Sequence, residues 1–341
     1  MGLIISLVCT LLITVLFILV LRPVAIATGL VDTPGGRKTH KNPTPVVGGI
    51  AMYLGLFFGV LSLEILPYAN WFLLGASLLV LIGIIDDRYN VSPIARLIAQ
   101  TWVALMMIFL ADVQIENIGS PLFFNWNLGI FSIPITILVT LTMINAFNAL
   151  DGIDGLSGGV AFIALSFMAF LSINSITLDL ILLLMATILG FLLCNIPSNF
   201  NRKAKCFMGD AGSTFIGFSI IWLGVSLSQG ESSSMSPVTG LWLVSIPVFD
   251  FVVSILRRIL SGKSPFSPDR DHLHYILLDS GLSAKKALVL ILIMTFITST
   301  IGLVSQIFSV SDGIMFLLWV SLGVMYYFNI KRIYKNQKKM K

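Results

Sequence analysis

The sequence predicts an all-α protein, a polytopic integral membrane helical bundle of about eleven transmembrane helices, and three observations predict it. Hydrophobic residues make up 57% of the 341-residue chain and charged residues only 11%, whereas a soluble domain is about a quarter charged. The apolar residues gather into continuous runs rather than the alternating pattern of barrel strands, which leaves helices as the spanning elements. All 21 Lys and Arg residues fall in alternate gaps between those runs.

Crossing a hydrocarbon core takes about 20 apolar residues per helix. The runs lie near 3–21, 46–63, 71–85, 97–111, 129–148, 160–174, 177–196, 211–229, 238–256, 287–309 and 314–330. The first has no basic leader, and its first positive charge, Arg22, follows it; it is expected to be a retained helix, not a cleaved signal peptide. The third ends on Asp86-Asp87-Arg88, the fifth runs into Asn- and Gly-rich sequence, the eighth opens just after Asp210, and the ninth carries Asp250. No stretch between runs exceeds about thirty residues, too short for a separate soluble domain. The expected organisation is one transmembrane domain, 1–341, with loops at about 22–45, 86–96, 149–159, 197–210 and 257–286 and a basic tail at 331–341.

Basic residues are retained on the cytoplasmic side of a membrane. They follow runs 1, 3, 7, 9 and 11, which predicts an outside N-terminus and a cytoplasmic C-terminus. The formal net charge of +5 is thereby accounted for by topology, with no nucleic-acid partner implied. Cys9, Cys194 and Cys206 show neither disulfide nor zinc spacing and are expected to be packing residues. The outer gaps hold acids only, among them Glu116 and Asp312, and read as solvated tips.

The residues able to do chemistry collect on the positive side. Carboxylates at membrane-helix ends are costly unless they meet a cation or a charged partner, and several converging on one face suggest a divalent metal. In NAFNALDGIDGLSGG, Asn145, Asn148, Asp151 and Asp154 recur every three residues; if the helix continues, they form one drifting stripe for a polar ligand at the membrane surface. In FMGDAGS, Asp210 either caps the helix that follows or stands beside a helix N-terminus that attracts phosphate. Magnesium suits such a place, because it binds through one or two carboxylates plus substrate phosphates. Asp86 and Asp87, being adjacent on a helix, point in different directions and suit two different tasks.

The longest inner loop carries Arg270, His272 and His274. Two imidazoles beside the planar fork of an arginine fit a diphosphate better than zinc, for which no third ligand stands at metal spacing. Lys38 and His40 lie in a basic cluster in the first loop, which either enforces topology or draws in an anionic substrate. Asp250 lies about 10 Å inside the bilayer at helical rise. An intramembrane acid is functional by default, and this one is expected to orient a metal-site or loop partner within the bundle.

Taken in order, RKTHKNPTPVVGGIA, DDRYNVSP, NAFNALDGIDGLSGG, FMGDAGS and SPFSPDRDHLH resemble the polyprenyl-phosphate N-acetylhexosamine-1-phosphate transferase family, of the glycosyltransferase 4 type. Within it, the chain looks most like the bacterial undecaprenyl-phosphate N-acetylglucosamine-1-phosphate transferases. The resemblance implies transfer of N-acetylglucosamine-1-phosphate from UDP-GlcNAc to undecaprenyl phosphate, giving undecaprenyl-diphosphate-GlcNAc and UMP. It implies the cytoplasmic (inner) membrane of a bacterium, an active site on the cytoplasmic face, and a product that feeds O-antigen, common-antigen or teichoic-acid-type polymers. It further implies Mg2+, with Mn2+ as an alternative, held by Asp210. Asp86 would act on the lipid phosphate as base or orienting group, with Asp87 near the metal or nucleotide. Asn148, Asp151 and Asp154 would hold the nucleotide diphosphate, with Asn145 on the same stripe. Arg270, His272 and His274 would bind the sugar-phosphate, and Lys38 with His40 would attract the anions. The partners implied are the UDP-sugar donor, the polyprenyl phosphate acceptor and the membrane; a homodimer stays open.

One position departs from the pattern: the family's last loop usually reads His-x-His-His, whereas here Tyr275 takes the final place. Another UDP-HexNAc or UDP-MurNAc-pentapeptide is the alternative donor. A transporter for an anionic lipid or nucleotide sugar is the alternative class; it would bury its ionisable residues near the midplane on broken helices and show internal repeats.

Overall fold

The computed structural model describes residues 2–32, 43–172, 175–197, 204–231, 233–265 and 272–340, the side chains of 175 and 335–340 excepted. The described part of each of the eleven apolar runs falls mainly on helix. Among the described residues, eight helices are long and apolar enough to cross a membrane. These are α1 (Leu3–Thr28), α3 (Leu66–Tyr89), α4 (Pro93–Ala111), α5 (Ser132–Leu150), α7 (Ser175–Asn195), α8 (Gly209–Ser228), α12 (Ala284–Ile307) and α13 (Asp312–Met340). Two apolar helices are shorter, α2 (Gly48–Ser62) and α6 (Leu156–Leu171). The chain is a multi-pass helical membrane protein. Among the described residues, its sheet is confined to β1 (Val31–Asp32) paired antiparallel with β2 (Thr44–Pro45).

The ninth run differs from the uninterrupted helix expected. It forms α9 (Pro237–Leu243) and α10 (Ser245–Leu260), bent by 80° at the break. Pro247 explains the bend, because its ring clashes with the carbonyl four residues back, that of Leu243, and it has no N–H to offer. The released carbonyls find other donors: Ser299 donates its hydroxyl to Leu243 O at 3.4 Å and Trp319 its indole N–H to Leu241 O at 3.2 Å. Side chains of neighbouring helices thus satisfy a break that hydrocarbon would not tolerate.

Helix α8 is the axis of the bundle, packed against α2, α3, α5 and α6. Its apolar window is 83% buried, compared with 22% for α1 and α13, whose outward faces are available to lipid. With no water to expel, helix association rests on close packing. Phe72 of α3 stacks on Phe218 of α8 at 5.8 Å and meets Trp222 edge-on at 5.4 Å, contacts worth about 0.5–1.5 kcal/mol each beyond their area. Toward the end bearing the acids, glycines let backbones touch. A Cβ at Gly49 of α2 would overlap the backbone of Gly212, and one at Gly83 of α3 that of Ala211. Backbone bonds then join the start of α2 to the segment entering α8, Gly48 N–H to Phe207 O at 3.0 Å and Gly49 N–H to Met208 O at 3.1 Å. Those contacts bring the C-terminus of α3 and the N-terminus of α8 together.

Several expected loops begin inside helix: α1 continues to Thr28, α3 to Tyr89, and α13 through the basic tail to Met340. At the opposite end, Asp312 is more than a solvated tip. It accepts from the Ser236 hydroxyl at 2.7 Å and the Ser120 amide at 3.3 Å, tying two loops to the start of α13.

Candidate active site

The turn between α3 and α4 is built by four residues in sequence. Asn90 ends α3 in the left-handed region (φ 52°), Ser92 caps α4 by accepting from Ala95 N–H at 3.3 Å, and Pro93 takes the first helical position. The chain therefore reverses within three residues, and Arg96 comes back over Asp86. Its Nη1 lies 2.8 Å from Asp86 Oδ2 and 3.6 Å from Asp210 Oδ2. The other oxygen of Asp86 accepts from Val91 N–H at 2.7 Å, so this buried carboxylate has both oxygens engaged.

Asp87 points elsewhere, as adjacent helical positions must. Its Oδ1 accepts from Asp210 N–H at 2.9 Å and its Oδ2 from Ala211 N–H at 3.3 Å. The cap of α8 thus comes from another helix. Asp210 does not cap its own helix; the residue at the cap position, Met208, makes no side-chain bond there. With its amide satisfied by Asp87, the Asp210 carboxylate is left for other partners: Asn148 of α5 donates to Oδ1 at 2.7 Å and also reaches Ser213 at 3.0 Å. Arg96 Nη1 stands between the Asp210 carboxylate and that of Asp86.

The Asn/Asp stripe does not continue as helix. Helix α5 stops at Leu150, and Asp151 leaves it at φ −76°, ψ 57°, in sequence rich in glycine. Asn145 turns to Gln100 of α4, donating at 2.6 Å, and so lies apart from the carboxylates. Asp151 and Asp154 sit in the following turn, which Asn195 holds by accepting from Gly155 N–H at 2.6 Å and donating to Cys206 O at 3.0 Å. Burial, and then the nearby carboxylates of Asp210 and Asp154, push the Asp151 carboxyl up to about 8.

The last loop arrives through α11 (Leu273–Asp279). The rings of His272 and His274 lie parallel, 6.1 Å apart and 5° from coplanar in orientation. His274 is fully buried, and a Cβ on Gly152 would overlap its ring, which places it directly against the turn holding Asp151. His272 is fixed from within the bundle by Asp250, Nδ1 to Oδ2 at 3.0 Å. Lys38, His40 and Arg270 lie outside the described residues.

Three helix ends and two loops thus bring together Asp86, Asp87, Asn148, Asp151, Asp154, Asp210, His272 and His274. Arg96, Asn195 and Ser213 join them although the motifs gave no reason to single them out. Arg96 had a legible signal in Asn-x-Ser-Pro, a helix stop followed at once by a helix start. Asn195 had none, since its role arises only where two loops meet.

Among the described residues, no three His, Cys, Asp or Glu side chains form a closed metal cage. The carboxylates are spread over helix ends, with Arg96 between Asp86 and Asp210. That donor set fits an oxygen-loving divalent ion which keeps part of its water and takes phosphate oxygens. Burial raises the thiol of neighbouring Cys206 well above its ordinary value, so it offers no thiolate nucleophile.

Known proteins match most of the chain. The pattern of glycosyl transferase family 4 matches residues 70–228, the stretch from α3 through α8. The chain is 39% identical over 335 residues to the undecaprenyl-phosphate alpha-N-acetylglucosaminyl 1-phosphate transferase of Pasteurella multocida (strain Pm70), covering 97% of this chain and 94% of that one. It is 36% identical to the proteins of the same name from Haemophilus influenzae (94% and 92% covered) and Escherichia coli strain K12 (94% and 89%). A chain matched over nearly its whole length in this way belongs to glycosyl transferase family 4.

Proposed function

We propose that this protein transfers N-acetylglucosamine-1-phosphate from UDP-GlcNAc to undecaprenyl phosphate, releasing UMP, at the cytoplasmic face of a bacterial inner membrane. The observation that carries the reading is the convergence of Asp86 and Asp210 on Arg96, and of Asn148 on Asp210, at the start of α8, in a chain whose relatives bear that activity in their names.

In the reaction, a lipid phosphate oxygen attacks the phosphorus bearing the sugar. The bond from that phosphorus to the bridging oxygen breaks, and UMP leaves with the electron pair. The lipid phosphate is already largely dianionic at neutral pH, because its second pKa is near 6, so no strong base is required. This agrees with Asp86, whose two oxygens are held by Val91 and Arg96, acting as an orienting group. Asp210 would hold Mg2+ or, in its place, Mn2+ together with substrate phosphate oxygens, with Asp151 and Asp154 facing the nucleotide diphosphate. When bound, the ion neutralises diphosphate charge and stabilises the leaving UMP. Asp87 keeps the first turn of α8 in place, Asn148 fixes the Asp210 rotamer, Arg96 presents a guanidinium to phosphate oxygens, and His272 and His274 close the site over the sugar-phosphate. Alignment and charge neutralisation are what phosphoryl transfer asks of a protein.

For topology, α9 and α10 count as one broken crossing, and the short helices α2 and α6, packed among α1, α7, α8 and α12, complete eleven. The basic residues then put the N-terminus outside and the site inside.

The test is UMP release by purified protein from UDP-GlcNAc and undecaprenyl phosphate, with magnesium, manganese or EDTA. Activity that needs the lipid and the metal is expected. UDP-GalNAc and UDP-MurNAc-pentapeptide in the same assay rank the donors. No UMP, together with uptake of a nucleotide sugar into vesicles, would replace the transferase with a transporter.

A further inference from the structure

Asp250 is a carboxylate inside the membrane-spanning part of the chain, only 4% exposed, and no step of the transfer uses it. Among the described residues, its three hydrogen-bond partners come from two places, the start of α11 and α13. His272 Nδ1 meets Oδ2 at 3.0 Å, Leu273 N–H donates to Oδ1 at 2.7 Å, and the Tyr326 hydroxyl of α13 donates to the same Oδ1 at 2.9 Å. Two neighbouring rings enclose the tyrosine side of this junction: Phe249 lies 6.1 Å from Tyr326 and 4.8 Å from Trp319.

Leaving such an acid in low dielectric is costly unless its charge is both paired and hydrogen-bonded, and here the pairing is spent on one loop. An ionised carboxylate only accepts, so the bond to His272 requires the proton on Nδ1. That fixes the tautomer and the ring plane together, as the partner of an imidazole's other nitrogen does. It also leaves Nε2 for a ligand. The Leu273 amide bond pins the first turn of α11, and α11 carries His274 onto Gly152 beside Asp151. The junction therefore reaches the phosphate end of the site through two imidazoles.

We infer that Asp250 and Tyr326 are positioning residues for the donor half of the reaction, holding the His272–His274 loop with His272 protonated at Nδ1 so that Nε2 accepts from a hydroxyl of the sugar phosphate. Neither touches substrate; both act through His272 and the start of α11. The kinetic part of this inference rests on the transferase reading, whereas the tautomer does not.

The chain has three histidines, so 15N-histidine NMR of the purified protein resolves His272, assigned with His40→Gln and His274→Gln. Wild type is expected to show an Nδ1-protonated His272, and Asp250→Asn a shift toward the Nε2–H form. In UMP release, Asp250→Asn is expected to lower kcat/KM for UDP-GlcNAc by about 100-fold, the cost of a misplaced group. Tyr326→Phe, which removes one bond of three, should lower it by about fivefold. The KM for undecaprenyl phosphate should stay within twofold in Tyr326→Phe, which a general loss of folding would not allow. An unchanged His272 spectrum in Asp250→Asn, or equal losses toward both substrates in Tyr326→Phe, overturns the inference. If Asp250→Asn fails to fold, Tyr326→Phe still decides the kinetic arm. If wild type releases no UMP, the transferase reading falls, and the NMR comparison still decides the tautomer.

Discussion

The amide of Asp210 donates to Oδ1 of Asp87 at 2.9 Å across 123 residues of sequence. One acid thus holds the backbone of another, and the carboxylate of Asp210 is freed to face the site with Asn148 on one oxygen and Arg96 near the other.

Removing that cap should separate structure from chemistry. Asp87→Ala leaves two first-turn amides of α8 without their acceptor, which costs about 0.5–2 kcal/mol of stability by the ordinary value of a cap. We expect a lower thermal midpoint in detergent together with a kcat loss of about 100-fold, since Asp210 moves with its helix turn. A variant that melts like wild type while losing all turnover would make Asp87 a direct ligand instead.

Asp210→Asn keeps the side-chain volume and removes the charge. Turnover should fall by about a thousandfold, the scale of losing a principal electrostatic stabiliser, and residual activity should lose its dependence on magnesium concentration. Near-normal rates in a magnesium titration would show the metal is held elsewhere.

Arg96→Gln leaves the buried Asp86 with the Val91 amide but without its cation. The cost to stability should be about 1–3 kcal/mol, read as a lower denaturation midpoint. Donor and acceptor kcat/KM should both fall, because the guanidinium lies near Asp210 as well as Asp86. Arg96→Lys keeps the charge but not the planar fork and should recover stability better than rate.

The Asp151 carboxyl, raised to about 8, gives a pH dependence with a definite sign. In the unfolded chain an aspartate ionises near 4. The stability that comes from keeping Asp151 protonated is therefore fully present below about 4 and lost as pH rises toward about 8. In EDTA the thermal midpoint should fall between pH 5 and pH 8.5, and Asp151→Asn should flatten that slope. Magnesium binding favours the ionised form, so its apparent affinity should rise over the same interval. A magnesium Kd independent of pH would show that the Asp151 charge does not reach the bound ion.

Gly152→Ala puts a methyl group into the His274 ring. Overpacking of this kind costs about 1–3 kcal/mol and moves the imidazole. The double variant Gly152→Ala/His274→Ala should recover the melting temperature but not the activity. Recovery of both would make His274 a packing residue alone.

Composition and charge placement determined much of this protein by themselves. Apolar runs of membrane-spanning length can only be helices, because hydrocarbon offers backbone groups no other partner. Gathering of the basic residues into alternate gaps also selected the acids that the structure brings together, Asp86, Asp87, Asp151, Asp154 and Asp210. The opposed directions of Asp86 and Asp87 followed from helical geometry alone. What the sequence left open were relations between distant segments. That Asp87 caps α8, that Arg96 pairs with Asp86, that Asn145 leaves the stripe for Gln100 and that Asp250 holds His272 depend on which helices lie side by side. Backbone approach at Gly49 and Gly83, the bend at Pro247 and the stacking of Phe72 on Phe218 decide those neighbours. Periodicity records the face a helix buries; packing alone decides what that face meets.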